Sequence, residues 1–334
     1  MNTQQSSQVL AEMLRRKEFN RNMRLPVAYL VLAHADPTQC IRLIRALLAD
    51  RDAHVFLQLD LKVKEDFSGV ATLSSSRVHF VKERYEVSWG GYSIVKAILA
   101  AIREAVSFNV EFGYLVLLSG MDYPTKHPDE IRDYLYSQPF RQHINRLNIA
   151  DSPEHYLKLA RQYIFRDAWL PAGKIDKYVR RAASILAMPF RRRLLNGTIC
   201  TGSMWWALTP EFGRYVLDTA ARDATYERYF KFFHGPDEVY FHTVLQNSPF
   251  VDEAPPILVY QGRGMWRTAN FHLIHPSLRK IYTEAEFDEV MTANRCFVRK
   301  VNTVASSKLL DQIDDMIGLT SAPETDRQPT ALSS

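Results

Sequence analysis

Two adjacent carboxylates open an apolar run in Gly235-Pro236-Asp237-Glu238-Val239-Tyr240-Phe241-His242-Thr243. Pro236 suits a first helical position, where its missing N–H costs nothing, and the spacing predicts a helix that starts there. Asp237 and Glu238 would then lie at the positive end of the helix dipole. A carboxylate kept ionised in this way can take a proton from a hydroxyl, which is what sugar transfer asks of its base. The same placement is also how acids stabilise a helix start, so this segment alone leaves both readings open. His242 and Thr243 fall on the apolar helix without partners at metal-ligand spacing and read as packing residues. The chain has neither a Gly-x-Ser-x-Gly elbow nor a Gly-rich phosphate loop ending in Lys-Ser/Thr. Asp50-Arg51-Asp52 has the spacing of a metal-binding Asp-x-Asp, but it falls between a predicted helix and the next strand, at the end of the sheet opposite from ligands. At the useful end, Asp60-Leu61-Lys62 lacks the second acid.

The elements that must position these groups follow from the apolar pattern. Val27–Ala33 reads as a buried strand, His34-Ala35-Asp36-Pro37 as a turn, and Thr38–Asp50 as a helix with Ile41, Leu43, Ile44, Leu47 and Leu48 at helical spacing. His54–Leu59, Val78–Val81 and Tyr114–Leu118 are further strands, with a helix from Trp89-Gly90-Gly91 to about Ser107 between the last two. Pro128 starts another helix. Gly202–Leu208 resumes a strand, and Thr209-Pro210-Glu211 caps the helix after it. Strands and helices alternating over short loops predict a mainly parallel sheet covered on both faces. Ligands of such sheets sit beyond the carboxyl ends of the strands, here the loops at His34, Asp60 and Gly120–Pro124. The expected organisation is an arm over 1–24, one domain over 25–305 with a helical, basic insertion at 138–200, and a C-terminal helix and disordered tail over 306–334.

The chain has 334 residues, 46% hydrophobic and 24% charged, an ordinary globular composition. Cys40, Cys200 and Cys296 lie far apart, form no metal spacing and no disulfide framework, and suit a reducing compartment. No run approaches the roughly 18 apolar residues of a membrane span, and Met1–Gln8 lacks a signal-peptide core. The expectation is a cytoplasmic protein, free or peripheral on the inner face of a membrane. The net charge of +5 is mild, but Lys174, Lys177, Arg180, Arg181, Arg191, Arg192 and Arg193 face only Asp176 over their stretch. With Ile185, Leu186 and Phe190 nearby, 174–193 suits an anionic membrane or a phosphorylated acceptor, or else a solvated helix face. No nucleic-acid module is evident, so nucleic acid is not an expected partner.

Taken together and in order, the motifs resemble the core-2/I-branching β-1,6-N-acetylglucosaminyltransferase and peptide O-xylosyltransferase family. Leu59-Asp60 ends the second strand as a Val-Asp does there, and Ser88-Trp89-Gly90-Gly91 looks like its Trp-Gly-Gly helix start. Leu118-Ser119-Gly120-Met121-Asp122-Tyr123-Pro124, Gly202-Ser203-Met204-Trp205-Trp206-Ala207-Leu208-Thr209 and Glu238 to Ser248 are similar to three further motifs of the family. The xylosyltransferase branch is closer at Trp89–Gly91 and Phe241–Ser248, the other branch at Gly120–Pro124. The family's eukaryotic members carry a membrane anchor and many cysteines, so the likeness is to a soluble microbial relative.

The resemblance implies a GT-A-like nucleotide-binding fold and an inverting, metal-independent transfer of N-acetylglucosamine or xylose from a UDP-sugar. The acceptor would be a hydroxyl of a glycan, lipid-linked glycan or peptide, and no cofactor is implied besides the donor. Glu238 matches the general base, which leaves Asp237 to the helix start. Lys300 and Arg279 match the diphosphate-binding positions, with Arg267 and Arg299 as rivals to Arg279. Asp60 faces the nucleoside or forms a turn; His34 approaches the uridine or is structural. Trp89 and its glycines lie by the nucleotide or simply start a helix. Asp122 and Tyr123 sit where a loop meets donor and acceptor, Asp122 bonding a sugar hydroxyl or bracing the Tyr-Pro turn. Trp266 lies near the family's acceptor-contacting aromatic, and aromatic faces stack on sugars. A non-catalytic UDP-sugar or glycan-binding protein on the same scaffold is the alternative.

Overall fold

The computed structural model describes residues 24–319 except 74–75, 153–166, 168–177, 180–181, 183–184, 187–194 and 263. A five-stranded sheet forms its centre, in the order Val78–Phe80, His54–Leu59, Val27–Ala33, Tyr114–Ser119 and Ala207–Leu208. β1 (Val27–Ala33) is flanked by β2 (His54–Leu59) and β4 (Tyr114–Ser119), both parallel to it, with Leu30 opposite Phe56 on one side and Leu117 on the other. β3 (Val78–Phe80) extends the sheet beyond β2 in parallel, and β8 (Ala207–Leu208) pairs antiparallel with β4. The near-continuous apolar runs of β1, β2 and β4 are those of strands covered on both faces. This is the α/β architecture that the alternation predicts.

Alternate side chains of these strands supply two cores. Leu30, Phe56, Leu115 and Leu117 pack with Ile98 and Ile102 of α3 (Ser93–Val106), Phe212 of α5 (Pro210–Arg222) and Phe241 of α7 (Tyr240–Gln246). Val31, Leu57, Val116 and Leu118 point the other way, onto Leu43 and Ile44 of α1 (Pro37–Leu47), Ile131 of α4 (Pro128–Ser137) and Ile313 of α9 (Ser307–Ile317). Burying each such side chain fully is worth about 1.5–3 kcal/mol. The short helices α2 (Ser68–Ala71), α6 (Ala224–Phe230) and α8 (Phe287–Thr292) complete the helical layers. Asp36 caps α1 by accepting from Gln39 N–H at 3.1 Å, and Thr209 caps α5 by accepting from Phe212 N–H at 3.3 Å. Arg42 of α1 reaches Asp314 at 2.6 Å and Asp311 at 2.8 Å, which ties α9 to the domain.

Two small sheets lie at the carboxyl edge of the large one. β5 (Asp122–Pro124) pairs antiparallel with β10 (Phe297–Arg299), which runs parallel to β9 (His272–Ile274). β6 (Leu147–Asn148) pairs antiparallel with β7 (Cys200–Thr201).

The structure departs from the sequence expectations in four places. The Gly120–Pro124 loop ends in strand β5, because the long-range ladder to β10 satisfies its backbone. Only Ala207–Leu208 of the 202–208 stretch joins the large sheet. The helix expected from Pro236 is two elements: Pro236–Glu238 is a 3-10 turn, and α7 begins at Tyr240 after Val239 leaves helical geometry (φ −130°). In the described part of 138–200, β6, β7 and a 3-10 turn at Ile149–Asp151 take part where helix was expected. The basic residues of 174–193, the arm over 1–23 and the tail from 320 lie outside the described residues. No helix among the described residues is long and apolar enough to cross a membrane.

Candidate active site

A cavity of about 800 Å³ opens at the carboxyl ends of β1, β2 and β4. The strand order reverses at β1, so this is the crevice in which such sheets hold ligands. The cavity brings together seven of the residues singled out in the sequence: His34, Asp60, Trp89, Glu238, Trp266, Arg279 and Lys300. Asp237 and Arg299 line it as well. Asp122 and Tyr123 do not.

Glu238 is set by its backbone. Gly235 takes a left-handed conformation (φ +68°), which favours glycine, and turns the chain into the 3-10 turn. The Glu238 carbonyl then accepts from Gly202 N–H at 2.9 Å and from the Thr201 hydroxyl at 3.1 Å. These two bonds fasten the turn to the end of β7. The carboxylate folds back toward Gly235, whose added Cβ would lie 3.4 Å from Glu238 Oε2. Because α7 starts only after Val239, neither Asp237 nor Glu238 belongs to the first turn of an α-helix, and the dipole argument loses its ground. Asp237 is the more buried of the two carboxylates.

Cations line the cavity as well. β10 delivers Arg299 and Lys300, and the loop after β9 delivers Arg279. The Arg299 guanidinium lies 4.1 Å from the centroid of the Trp205 ring and forms an ion pair with Asp122. Asp122 is fully buried and also accepts from Ser119 N–H at 2.8 Å, with His272 Nε2 at 3.3 Å. Burial alone would raise the Asp122 carboxyl; Arg299, His272 and the Ser119 N–H more than offset it and hold Asp122 below the usual carboxylate range. Desolvation holds His272 below the usual imidazole range, so the ring donates to Asp122 as a neutral group. Asp122 therefore acts from beneath the cavity on Arg299, and the sugar contact considered for it has no place in this geometry. Tyr123, also buried, donates to Asp314 at 2.6 Å and so serves the docking of α9. It points away from the cavity because neighbours on a strand face opposite sides.

The remaining walls are mixed. Asp60 lines the cavity, but its Oδ1 accepts from Lys62 N–H at 2.8 Å and Val87 N–H at 3.2 Å, so one oxygen builds the turn. Desolvation holds His34 below the usual imidazole range; Asp60 opposes this, and Arg299 and Lys300 reinforce it. Lys300 is itself held below the usual lysine range by desolvation and then by Arg299, with Asp122 opposing. Trp89 is 82% exposed at the rim and meets His234 edge-on at 5.3 Å. Trp266 lies on a 3-10 turn under the Arg267 guanidinium, 4.4 Å from its ring. Asp50 sits at the far end of β2, where its buried carboxylate takes Arg132 at 2.9 Å. Arg299 was visible in the sequence only as a rival cation. His272, which shares Asp122 with it, carried no local signal, because the pairing needs β5, β9 and β10 assembled.

The family model of the Core-2/I-branching enzymes matches residues 27–254, more than half of the chain. Among curated proteins, the chain is similar to the xylosyltransferase oxt of Drosophila melanogaster, at 23% identity over 67% of this chain and 25% of that protein. It is similar to a probable β-1,3-galactosyl-O-glycosyl-glycoprotein β-1,6-N-acetylglucosaminyltransferase 7 of Sus scrofa, at 24% identity over 67% of this chain and 51% of that protein. It is also similar to an N-acetyllactosaminide β-1,6-N-acetylglucosaminyl-transferase of Mus musculus, at 28% identity over 69% of this chain and 55% of that protein. The chain thus spans between a quarter and about half of the length of these relatives. With a mainly parallel sheet, a carboxylate-and-cation cavity at its carboxyl edge and a family-model match over residues 27–254, the chain belongs to the Core-2/I-branching enzyme family.

Proposed function

We propose that this protein is an inverting, metal-independent glycosyltransferase that moves N-acetylglucosamine or xylose from a UDP-sugar to a hydroxyl of a glycan, lipid-linked glycan or peptide. The observation that carries the reading is that Glu238 and the cations Arg279, Arg299 and Lys300 line one cavity. Glu238 takes the proton of the acceptor hydroxyl while its oxygen attacks the anomeric carbon from the face opposite UDP, help worth roughly 10²–10⁴-fold. The bond from that carbon to the diphosphate oxygen breaks, and the cations stabilise the charge that develops on the leaving UDP. Fixed cations in a partly desolvated site can do this without reorganising during the reaction. Asp60 and His34 line the donor end, and Trp266 offers a face to a sugar ring. The cytoplasmic setting rests on the three cysteines, all free and buried, and the membrane contact through 174–193 rests on charge alone.

A panel of UDP-sugars, with and without EDTA, tests this reading. UDP release that survives EDTA is the expected result. Release abolished by EDTA contradicts metal independence, and tight UDP binding without turnover of any donor supports the binding-protein alternative.

A further inference from the structure

Asp167 makes contacts for which the reading above has no use. Its residue is exposed, yet both carboxylate oxygens are engaged at the start of α3. Oδ2 accepts from Tyr92 N–H at 2.9 Å; Oδ1 accepts from Ser93 N–H at 3.1 Å and from the Ser93 hydroxyl at 2.7 Å. The first turn of a helix has N–H groups without intrahelical partners, and the residue preceding α3, Tyr92, supplies no side-chain cap. The cap comes instead from a residue 74 positions on in the chain. The Ser93 hydroxyl in turn accepts from Ser88 N–H at 2.8 Å, and Gly91 N–H donates to the Ser88 carbonyl at 2.9 Å. Asp167 therefore closes a knot around Ser88–Ser93.

The two glycines in this knot have different reasons to be glycine. Gly91 has no left-handed backbone, but a Cβ on it would lie 2.1 Å from Asp167 Oδ1. Its missing side chain is the room in which the carboxylate sits. Gly90 is left-handed (φ +71°), and a Cβ there would lie 2.9 Å from His234 Nδ1. The Gly90 carbonyl accepts from Gly235 N–H at 3.3 Å, and Gly235 opens the turn that carries Glu238. A continuous path thus runs from Asp167 through Ser93, Ser88 and Gly91, and through Gly90 next to it in the chain, to Gly235, with Trp89 and His234 also lining the cavity.

We propose that Asp167 is a positioning residue of the active site, holding the Trp89–Gly91 wall and, through Gly90 and Gly235, the placement of Glu238. The proposal rests on the glycosyltransferase reading for its kinetic consequence, while its geometric part is testable without turnover. It turns the Trp-Gly-Gly motif from a nucleotide contact or a plain helix start into the receptor for a carboxylate of the same chain.

The test compares Asp167→Ala, Gly91→Ala and the double variant in the full chain, using the UDP-sugar that turns over fastest. Misplacement near 1 Å can cost about 100-fold in rate, so each single change is expected to lower kcat by roughly 10- to 100-fold while the Kd of UDP moves by less than about twofold. The double variant is expected to be no worse than the poorer single, because an Ala at 91 no longer meets the carboxylate once Asp167 is gone, and coupled residues are non-additive. Trp89 emission, taken as the difference between each protein and its Trp89→Phe counterpart, is expected to shift in Asp167→Ala. Unchanged kcat, multiplicative losses in the double variant, or an equal loss of UDP affinity would each overturn the proposal. If the unaltered protein turns over no UDP-sugar, the enzymatic reading fails first. Unchanged Trp89 emission in Asp167→Ala then overturns this proposal separately, and a shifted emission sustains its geometric part.

Discussion

Arg299 and Lys300 are neighbours in the chain and share a wall of the cavity, yet they are set differently. Asp122 gives Arg299 a fully buried counter-ion. Lys300 is pulled below the ordinary lysine range, by desolvation first and by Arg299 second. A depressed lysine loses its charge at lower pH than the usual value of about 10.4, and a diphosphate binds the charged form. UDP affinity is therefore expected to be highest below the Lys300 pKa and to fall as pH rises through it. In Lys300→Arg the charge persists across this range, and the alkaline fall should flatten. Calorimetric UDP titrations from neutral to alkaline pH check this; equal slopes in the two proteins would contradict it. Glu238 and Lys300 could be singled out in the sequence because each stands in a distinctive local run, and both line the cavity. The role of Asp122 was not, because its ion-pair partner lies 177 positions away.

At the scale of elements, the turn that carries Glu238 depends on β7 and on the absence of a side chain at Gly202. A Cβ on Gly202 would lie 2.3 Å from the Asn145 carbonyl oxygen and 2.6 Å from His242 Nε2. The first is backbone, so the strand has to move, and with it the N–H that holds the Glu238 carbonyl. Gly202→Ala is expected to lower stability by about 1–3 kcal/mol, the usual cost of overpacking, and to lower turnover further than the folded fraction accounts for. Urea melts paired with activity per folded molecule measure both, and a stable, fully active variant would contradict the account. Strands β1, β2 and β4 were readable because a strand buried on both faces needs an unbroken apolar run. The three-residue strands β5, β9 and β10 were not, since each is defined by its ladder to the others. The helix expected at Pro236 shows a second limit: a proline that suits the start of an α-helix also suits a 3-10 turn. Only Val239, with its non-helical backbone, separates the two.

At the scale of the molecule, the two cores enclose neutral histidines. Burial pushes His143 down to about 4 and His242 down to about 3. In the unfolded chain each takes a proton near pH 6.5, so below that pH the unfolded state binds more protons than the native state. Stability is full above about pH 6.5 and is lost as pH falls toward these depressed values, by up to about 1.4 kcal/mol per pH unit for each histidine. Urea midpoints between neutral pH and pH 4 are expected to fall, and less steeply in His143→Gln. A flat profile would contradict the buried neutral state. The central claim concerns the carboxylate that the whole arrangement presents to the cavity. Its most direct measurement is transfer by Glu238→Gln beside UDP affinity in the same preparation. The account predicts a turnover loss of roughly 10²–10⁴-fold, the usual worth of general-base help, with UDP bound as tightly as before. Full turnover in Glu238→Gln would contradict it.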